Sequence, residues 1–383
     1  MKATKLIIST VLVISSIASV STAGATTVPP LGIPVPRHVR PQDLTSTSGD
    51  EGEVQTVLPG INACASAKHA PLSLPADDGP HNDATYLEWW WWYGDITASD
   101  GHPYALMFFA TSKPWLGVRG FDFGLTDLIT GQVHKGRVPL VPGPVHARRG
   151  GGMQTAGPDV AATAFDGRDH VQFEVDGLRV ALDLTATKPV VARLGDGYMQ
   201  LLCNFTYLYA RPRMAVRGTI TSAGTSMSVS GAATFEHQWG FDLPLDVAAF
   251  DFVTLHLDDG RDVGLANVAL VRGTEKLAFV HDGYLSQPDG TVERLLRSDM
   301  SLNPTRWWRR DATCRYPVEF DLRIRDEHLH LATAVPASEY RFLQAPLELA
   351  IWPGFATYWD GPATVTGDAT GHAWFDMGHY CAP

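Results

Sequence analysis

The sequence predicts an all-β protein built from two packed units, each a sandwich or a barrel. Three observations carry this. Apolar and polar residues alternate along run after run, as in "HVQFEVDGLRVALDLTAT" and "FDLRIRDEHLHLATAV". Turn signals such as "DDGR", "QPDG" and "GDATG" separate these short runs. No long segment has a helical period; only "APLELAI" offers a turn of helix. With 383 residues and 45% hydrophobic content the chain can fill two cores, so two units of about 150 residues are expected.

The elements follow in order. Residues 1–25 read as a secretory signal: Lys2 and Lys5 are followed by the apolar run "LIISTVLVISSIASV" and the small-residue site "AGA". Secretion, periplasmic or extracellular in a bacterium, is the expectation, with a mature chain starting near Thr26. Residues 26–82 are rich in Pro, Ser, Thr, Gly and Asp and are expected as a linker or a segment laid over the surface. Folding is expected from Asp83, with a first unit over 83–240 and a second over 241–383.

Charge and motifs exclude several function classes. The net charge is -11, from 41 acidic and 30 basic residues, and no long Lys/Arg run occurs. That argues against nucleic acid or anionic lipid as a partner. No stretch beyond the signal is long and apolar enough to span a membrane, so no stable insertion is expected. His328 and His330 share a strand face without an evident third ligand, and no metal is expected. No G-x-S-x-G elbow and no phosphate or dinucleotide loop is present, and no cofactor is expected. Cys64, Cys203, Cys314 and Cys381 allow three pairings, and an exported chain is expected to form at least one disulfide. Asn204 opens the sequon "NFT", a glycosylation site in a eukaryotic host. The oligomeric state is left open.

Alternation sorts the candidate residues into faces. In "YLEWWWWYGDI", Trp89, Trp91 and Tyr93 point one way, Trp90 and Trp92 the other. One set can line a cavity while the other packs, or all can be core. In "FEHQWG", Glu236 and Gln238 share a face, opposite His237 and Trp239. A carboxyl buried in an apolar barrel has a raised pKa, and can protonate an alkene or donate to a carbonyl; alternatively this motif ties two domains together. Tyr207, Tyr209 and Arg211 are in phase and offer hydroxyl and guanidinium donors to the cavity, or brace the junction acids. Phe250, Phe252 and His256 share a face that mixes aromatic and polar groups, as ligand walls do. "IWPGFATYWDG" reads mainly as core of the second unit.

These stretches also resemble a known family. "NDATYLEWWWWYGDI", "YLYARPRMAVRGTI", "SGAATFEHQWG", "FDFVTLHLDDGRDVGLANV" and "GPATVTGDATGHAWFDMGHY" are similar, in order, to motifs of the lipocalin-like family that includes carotenoid 1,2-hydratase and the AttH proteins. Glu236 stands where that pattern usually has Asp. The resemblance implies two lipocalin-like β-barrel domains packed together, no cofactor, and a large hydrophobic small-molecule substrate. The family's activities include both hydration and Diels–Alderase-type cyclisation; the leading expectation is a cyclase acting on a polyketide or terpenoid, with Glu236, Gln238, Tyr209 and Arg211 as catalytic candidates. The alternatives are an isoprenoid hydratase and a non-catalytic carrier. Substrate contacts are expected from Trp89, Trp91, Tyr93, Tyr207, Phe250, Phe252 and His256.

Overall fold

A computed structural model of the chain describes residues 55–56, 70–82, 87–201, 204–240, 247–272, 275–312, 314–340, 358–378 and 380. The expected signal, most of the 26–82 segment, "APLELAI", Trp352, Phe355, Cys64, Cys203 and Cys381 lie outside them, as does the side chain of Asn204. No helix among the described residues is long and apolar enough to cross a membrane.

Two curled antiparallel sheets form half-barrels that pack together, which is the expected two-domain all-β architecture. The first sheet contains Leu87–Ala98 (β1), Pro103–Lys113 (β2), Val118–Asp127 (β3), Val133–Pro142 (β4), Met153–Gly157 (β5), Val160–Ala164 (β6), Arg168–Val175 (β7), Leu178–Ala186 (β8), Asn204–Ser222 (β9) and Thr225–Gly240 (β10). Their spatial order is β4-β3-β2-β1-β10-β9-β8-β7-β6-β5. The second sheet contains Val247–Leu257 (β11), Asp262–Arg272 (β12), Glu275–Ser286 (β13), Met300–Arg309 (β14), Arg315–Ile324 (β15), Glu327–Thr333 (β16), Tyr358–Gly367 (β17) and Gly371–Gly378 (β18), in the order β13-β12-β11-β18-β17-β16-β15-β14. Gln55–Thr56 adds to the free edge of β13. Chain neighbours mostly pair as hairpins, because tight turns join them. Between β7 and β8, Asp176 and Gly177 both have positive φ, 50° and 77°, as a two-residue "DG" turn requires.

Each half-barrel has its own core, and a third cluster lies between them. The alternation of β1 decides which tryptophan goes where. Trp90 and Trp92 point into the first barrel, against Phe108, Phe235 and Trp239. Trp91 and Tyr93 point outward and join Ala105, Met107 and Phe109 with Tyr358 and Trp374 of the second sheet. Trp89 packs at the edge of that cluster. "YWDG" is therefore split: Trp359 is second-barrel core, whereas Tyr358 belongs to the inter-sheet cluster.

Candidate functional site

The face of the first sheet that carries Trp91 and Tyr93 also carries Glu236, because Glu236 pairs directly with Trp91 across β10 and β1. Glu236 is only 3% exposed. Its carboxyl lies 3.5 Å from Arg193 Nη1 and hydrogen-bonds the Tyr93 hydroxyl. Tyr93 also shares a 2.8 Å hydrogen bond with Thr254 of β11, which links the two sheets. Arg193 sits in a tight turn, Arg193–Gly195, and its Nε donates to Asp282 Oδ2 at 2.6 Å. The other oxygen of Asp282 accepts from the amide of Leu194, which adopts a left-handed φ of 57°. That conformation is costly for leucine; the Asp282 contact fixes the turn and with it the arginine. The guanidinium lies over the Tyr284 ring, 5.3 Å from its centre.

Burial pushes the Glu236 carboxyl above its ordinary pKa, while Arg193 and Tyr93 pull the other way. Asp376 of β18 is pushed well up, by burial first and then by Asp360 and Glu236. Asp360, which accepts from Trp374 Nε1, is raised by burial as well. This interior thus favours neutral carboxyls. It also holds buried polar atoms with no protein partner: Trp91 Nε1, Arg193 Nη2, Tyr284 Oη and Asp376 Oδ1. Unpaired buried donors are costly and native proteins rarely keep them; a polar ligand group would pair them.

Beside this cluster a cleft of about 200 Å³, part of it open to solvent, is lined by Tyr93, Asp95, Thr234, Thr254, His256 and His372, with Trp374 as its aromatic wall. Tyr93 belongs to both cleft and cluster. The enclosed part of this space is no larger than a water molecule. Burial raises Asp95 to about 6, and His372 Nδ1 lies 3.6 Å away. Burial lowers His256 to about 4, so its ring is neutral. Its Nε2 donates to the carbonyl of Pro212 at 2.9 Å and touches Thr234.

The candidates divide between two faces. Glu236, Gln238, Trp89, Trp91, Tyr93, Phe250 and His256 stand between the sheets or along the cleft. Phe252 is the neighbour of Phe250, 5.8 Å between ring centres. Gln238 donates to Thr206 Oγ1 at 3.0 Å. Tyr207, Tyr209 and Arg211 do not join them. They lie on the inner face of β9, because Tyr209 pairs with His237 whereas Ala210 pairs with Glu236. The grouping of Tyr209 and Arg211 with Glu236 is thereby corrected: alternation fixes that they are in phase with one another, but strand register puts them across from His237.

What they meet there is the segment before β1. Asp78, fully buried, accepts from the Tyr209 hydroxyl, from Arg211 Nη2 at 2.7 and 2.9 Å, and from the amide of Asp166 at 2.6 Å. Residues 70–82, expected as linker or surface, send Asp78 into the first core. Close by, Glu88 Oε1 accepts from His81 Nδ1 at 2.7 Å and His237 Nε2 at 2.9 Å. His81 is raised to about 9; burial opposes this, and Asp77 and Glu88 outweigh it.

Arg193, Asp282, Tyr284 and Asp376 were not among the sequence candidates. A signal existed: "VHDGYLS" sets Asp282 and Tyr284 two apart in an apolar strand, and "AWFDMG" does the same for Trp374 and Asp376. Arg193 lies in a loop without period and offered none.

A model of AttH-like proteins matches residues 153–380, more than half of the chain and parts of both sheets. The chain belongs to the AttH-like family. The family fold is seen in a crystal structure of an AttH protein from Nitrosomonas europaea, with 21% identity over 82% of this chain and 98% of that one, at a TM-score of 0.66. Kievitone hydratase from Nectria haematococca is 13% identical over 80% of this chain and 93% of its own, with a TM-score of 0.64. CghA with Sch210972 is 11% identical over 86% and 99%, with a TM-score of 0.52. These likenesses establish the shared fold. No curated protein matches the chain.

Proposed function

We propose that this AttH-like protein is an enzyme that folds an extended, largely apolar, unsaturated substrate between its two sheets and promotes its cyclisation, a [4+2] cycloaddition of a polyketide or terpenoid intermediate. One observation carries the reading: the buried Glu236 carboxyl, pushed upward in pKa by its burial, shares its surroundings with three unpartnered donors, Trp91 Nε1, Arg193 Nη2 and Tyr284 Oη. A substrate carbonyl placed among them gains hydrogen bonds that strengthen as electron density moves onto its oxygen. Trp91, Tyr93, Trp374 and Phe250 supply the aromatic walls that hold diene and dienophile together, which lowers the entropic part of the barrier. The bonds rearrange within the substrate, and no proton leaves it.

A second reading is favoured by Asp376, whose Oδ1 is unpartnered and whose carboxyl is pushed up in pKa by burial, then by Asp360 and Glu236. Two buried acids serve hydration of a double bond. Glu236 protonates one alkene carbon, aromatic faces shelter the cation, and water adds to the other carbon, its proton passing to a carboxylate. The fold shared with kievitone hydratase supports this second reading.

Glu236 separates them. Product is identified by mass spectrometry of producer extracts with and without the protein, then assayed on purified variants shown to be folded by circular dichroism. A hydratase loses nearly all turnover in Glu236→Gln, since the amide supplies no transferable proton. A cyclase keeps much of its rate in Glu236→Gln and loses on the order of a hundredfold or more in Glu236→Ala. A carrier yields no product in any form. Full activity in both folded variants rules Glu236 out of the site. Export with removal of residues 1–25 is proposed alongside, on the signal-like N-terminus, and N-terminal sequencing of the mature protein that returns Met1 overturns it.

A further inference from the structure

The geometry points to a divalent transition-metal site on the inner face of the first barrel, formed by His81 Nδ1, Glu88 Oε1 and His237 Nε2, which fastens the 70–82 segment to the sheet. The three atoms lie within 4.8 Å of one another, and both nitrogens close on one oxygen, at 2.7 and 2.9 Å. Tetrahedral ligands about 2.1 Å from an ion stand roughly 3.4 Å apart, so these contacts, now of hydrogen-bond length, would open by about half an ångström to admit one. Two imidazoles and one carboxylate are a common donor set for first-row divalent ions.

Independent features orient the ligands. The His81 ring lies flat on Trp239, 4.0 Å between centres and 3° between planes. The His237 ring stacks on Trp90 at 4.7 Å. Such packing fixes ring direction before any ion arrives. The far nitrogen of His81, Nε2, lies 3.5 Å from Asp77 Oδ1, the outer carboxylate that metal-bound histidines commonly address. The His81 amide donates to both oxygens of Glu88, at 3.0 Å to Oε2 and 3.2 Å to Oε1, which anchors the carboxylate.

A hydrogen-bonded lock explains the contacts with Glu88 but does not require two histidines to address the same oxygen. The ligands also come from three places: the segment before β1, the start of β1 and the end of β10. An ion here joins the N-terminal segment to both strands, whereas the proposed catalytic cluster lies on the opposite face of the same strands. Binding moves the ring protons off the nitrogens that face Glu88, to solvent or to the other ring nitrogen, and involves no redox step.

Co²⁺ and Zn²⁺ test this on the full-length protein after treatment with a chelator. One equivalent of Co²⁺ is expected to give visible d–d absorption, displaced by Zn²⁺, and Zn²⁺ to raise Tm by a few degrees. His81→Ala removes the most accessible ligand and leaves the barrel strands intact. It is expected to abolish the Co²⁺ bands and the Zn²⁺ shift while circular dichroism stays that of the parent. Parent protein that binds neither ion above micromolar affinity overturns the site. So does folded His81→Ala that keeps the Co²⁺ spectrum, because the ion is then elsewhere. Protease cleavage near residues 70–82, slowed by Zn²⁺ in the parent and not in His81→Ala, is the expected result for the fastening role; equal cleavage with and without Zn²⁺ overturns that role.

Discussion

The two faces of β1 and β10 make opposite use of buried polar groups. On the inner face the acids are held by fixed protein partners. Asp78 has Tyr209 and Arg211, Glu88 has His81 and His237, and Asp169 has Trp92 Nε1 at 2.9 Å. On the outer face Glu236 is partnered, but Trp91, Arg193, Tyr284 and Asp376 each keep a buried polar atom with none, against Arg211 Nη1 and His237 Nδ1 on the inner face. The same two strands thus carry a structural lock on one side and an incomplete site on the other. The difference teaches that burial of charge marks neither role. What separates them is whether the acids' own oxygens are all taken up by protein partners: those of Asp78, Glu88 and Asp169 are, and Asp376 Oδ1 is not.

The largest effect is expected where the lock is broken. Asp78→Ala leaves Arg211 buried without its carboxylate, and should cost about 3–5 kcal/mol in urea denaturation. A loss below about 1 kcal/mol would mean that the inner network is not holding the 70–82 segment. On the outer face, a methyl group at Gly264 would run into the Tyr284 ring. Gly264→Ala should therefore cost about 1–3 kcal/mol by overpacking. It should also disturb turnover, because Tyr284 carries one of the unpartnered donors. Unchanged turnover in folded protein would remove Tyr284 from the site.

Acidity sharpens the contrast. Burial raises Asp95, in the cleft, from its ordinary 3.8 to about 6. The folded protein then holds that proton more tightly than the unfolded chain does. The associated stabilisation is complete below about pH 4 and is lost as pH rises to about 6. Asp95→Asn should flatten that part of the stability profile, worth about 1–3 kcal/mol. Denaturation curves at pH 4 and pH 7 that respond equally in parent and variant would contradict it. Glu88, on the inner face, is shifted the opposite way: burial opposes, but His237 and His81 hold it below its usual range. Its contribution is present above the ordinary carboxylate pKa and is lost on acidification.

The smallest stability effect is expected from Trp91→Phe, which keeps an aromatic ring and deletes an N–H that has no partner. Stability should change by about 1 kcal/mol or less, whereas affinity for the identified substrate should fall about tenfold. Fluorescence titration checks the affinity. Equal affinity with lowered stability would make Trp91 plain core.

The sequence by itself determined the all-β class, the hairpin turns and the sorting of residues into faces. All three are local: a strand alternates with period two, and Asp-Gly meets the positive φ that a two-residue turn needs. That is why Trp91 and Tyr93 separate correctly from Trp90 and Trp92, and why Glu236 falls opposite His237. The tertiary structure alone decided what each face meets. Tyr93 reaches Thr254 across 161 residues, and Asp78 reaches Arg211 across 133. No period links such positions. Tyr209 and Arg211 were in phase with one another, yet only the register of β9 against β10 set them on the side away from Glu236. Arg193, in an aperiodic turn, became part of the site only because Asp282 of the other sheet closes on it. Local alternation assigns a side chain to a face; only long-range pairing supplies the neighbour that turns the face into a lock or a site.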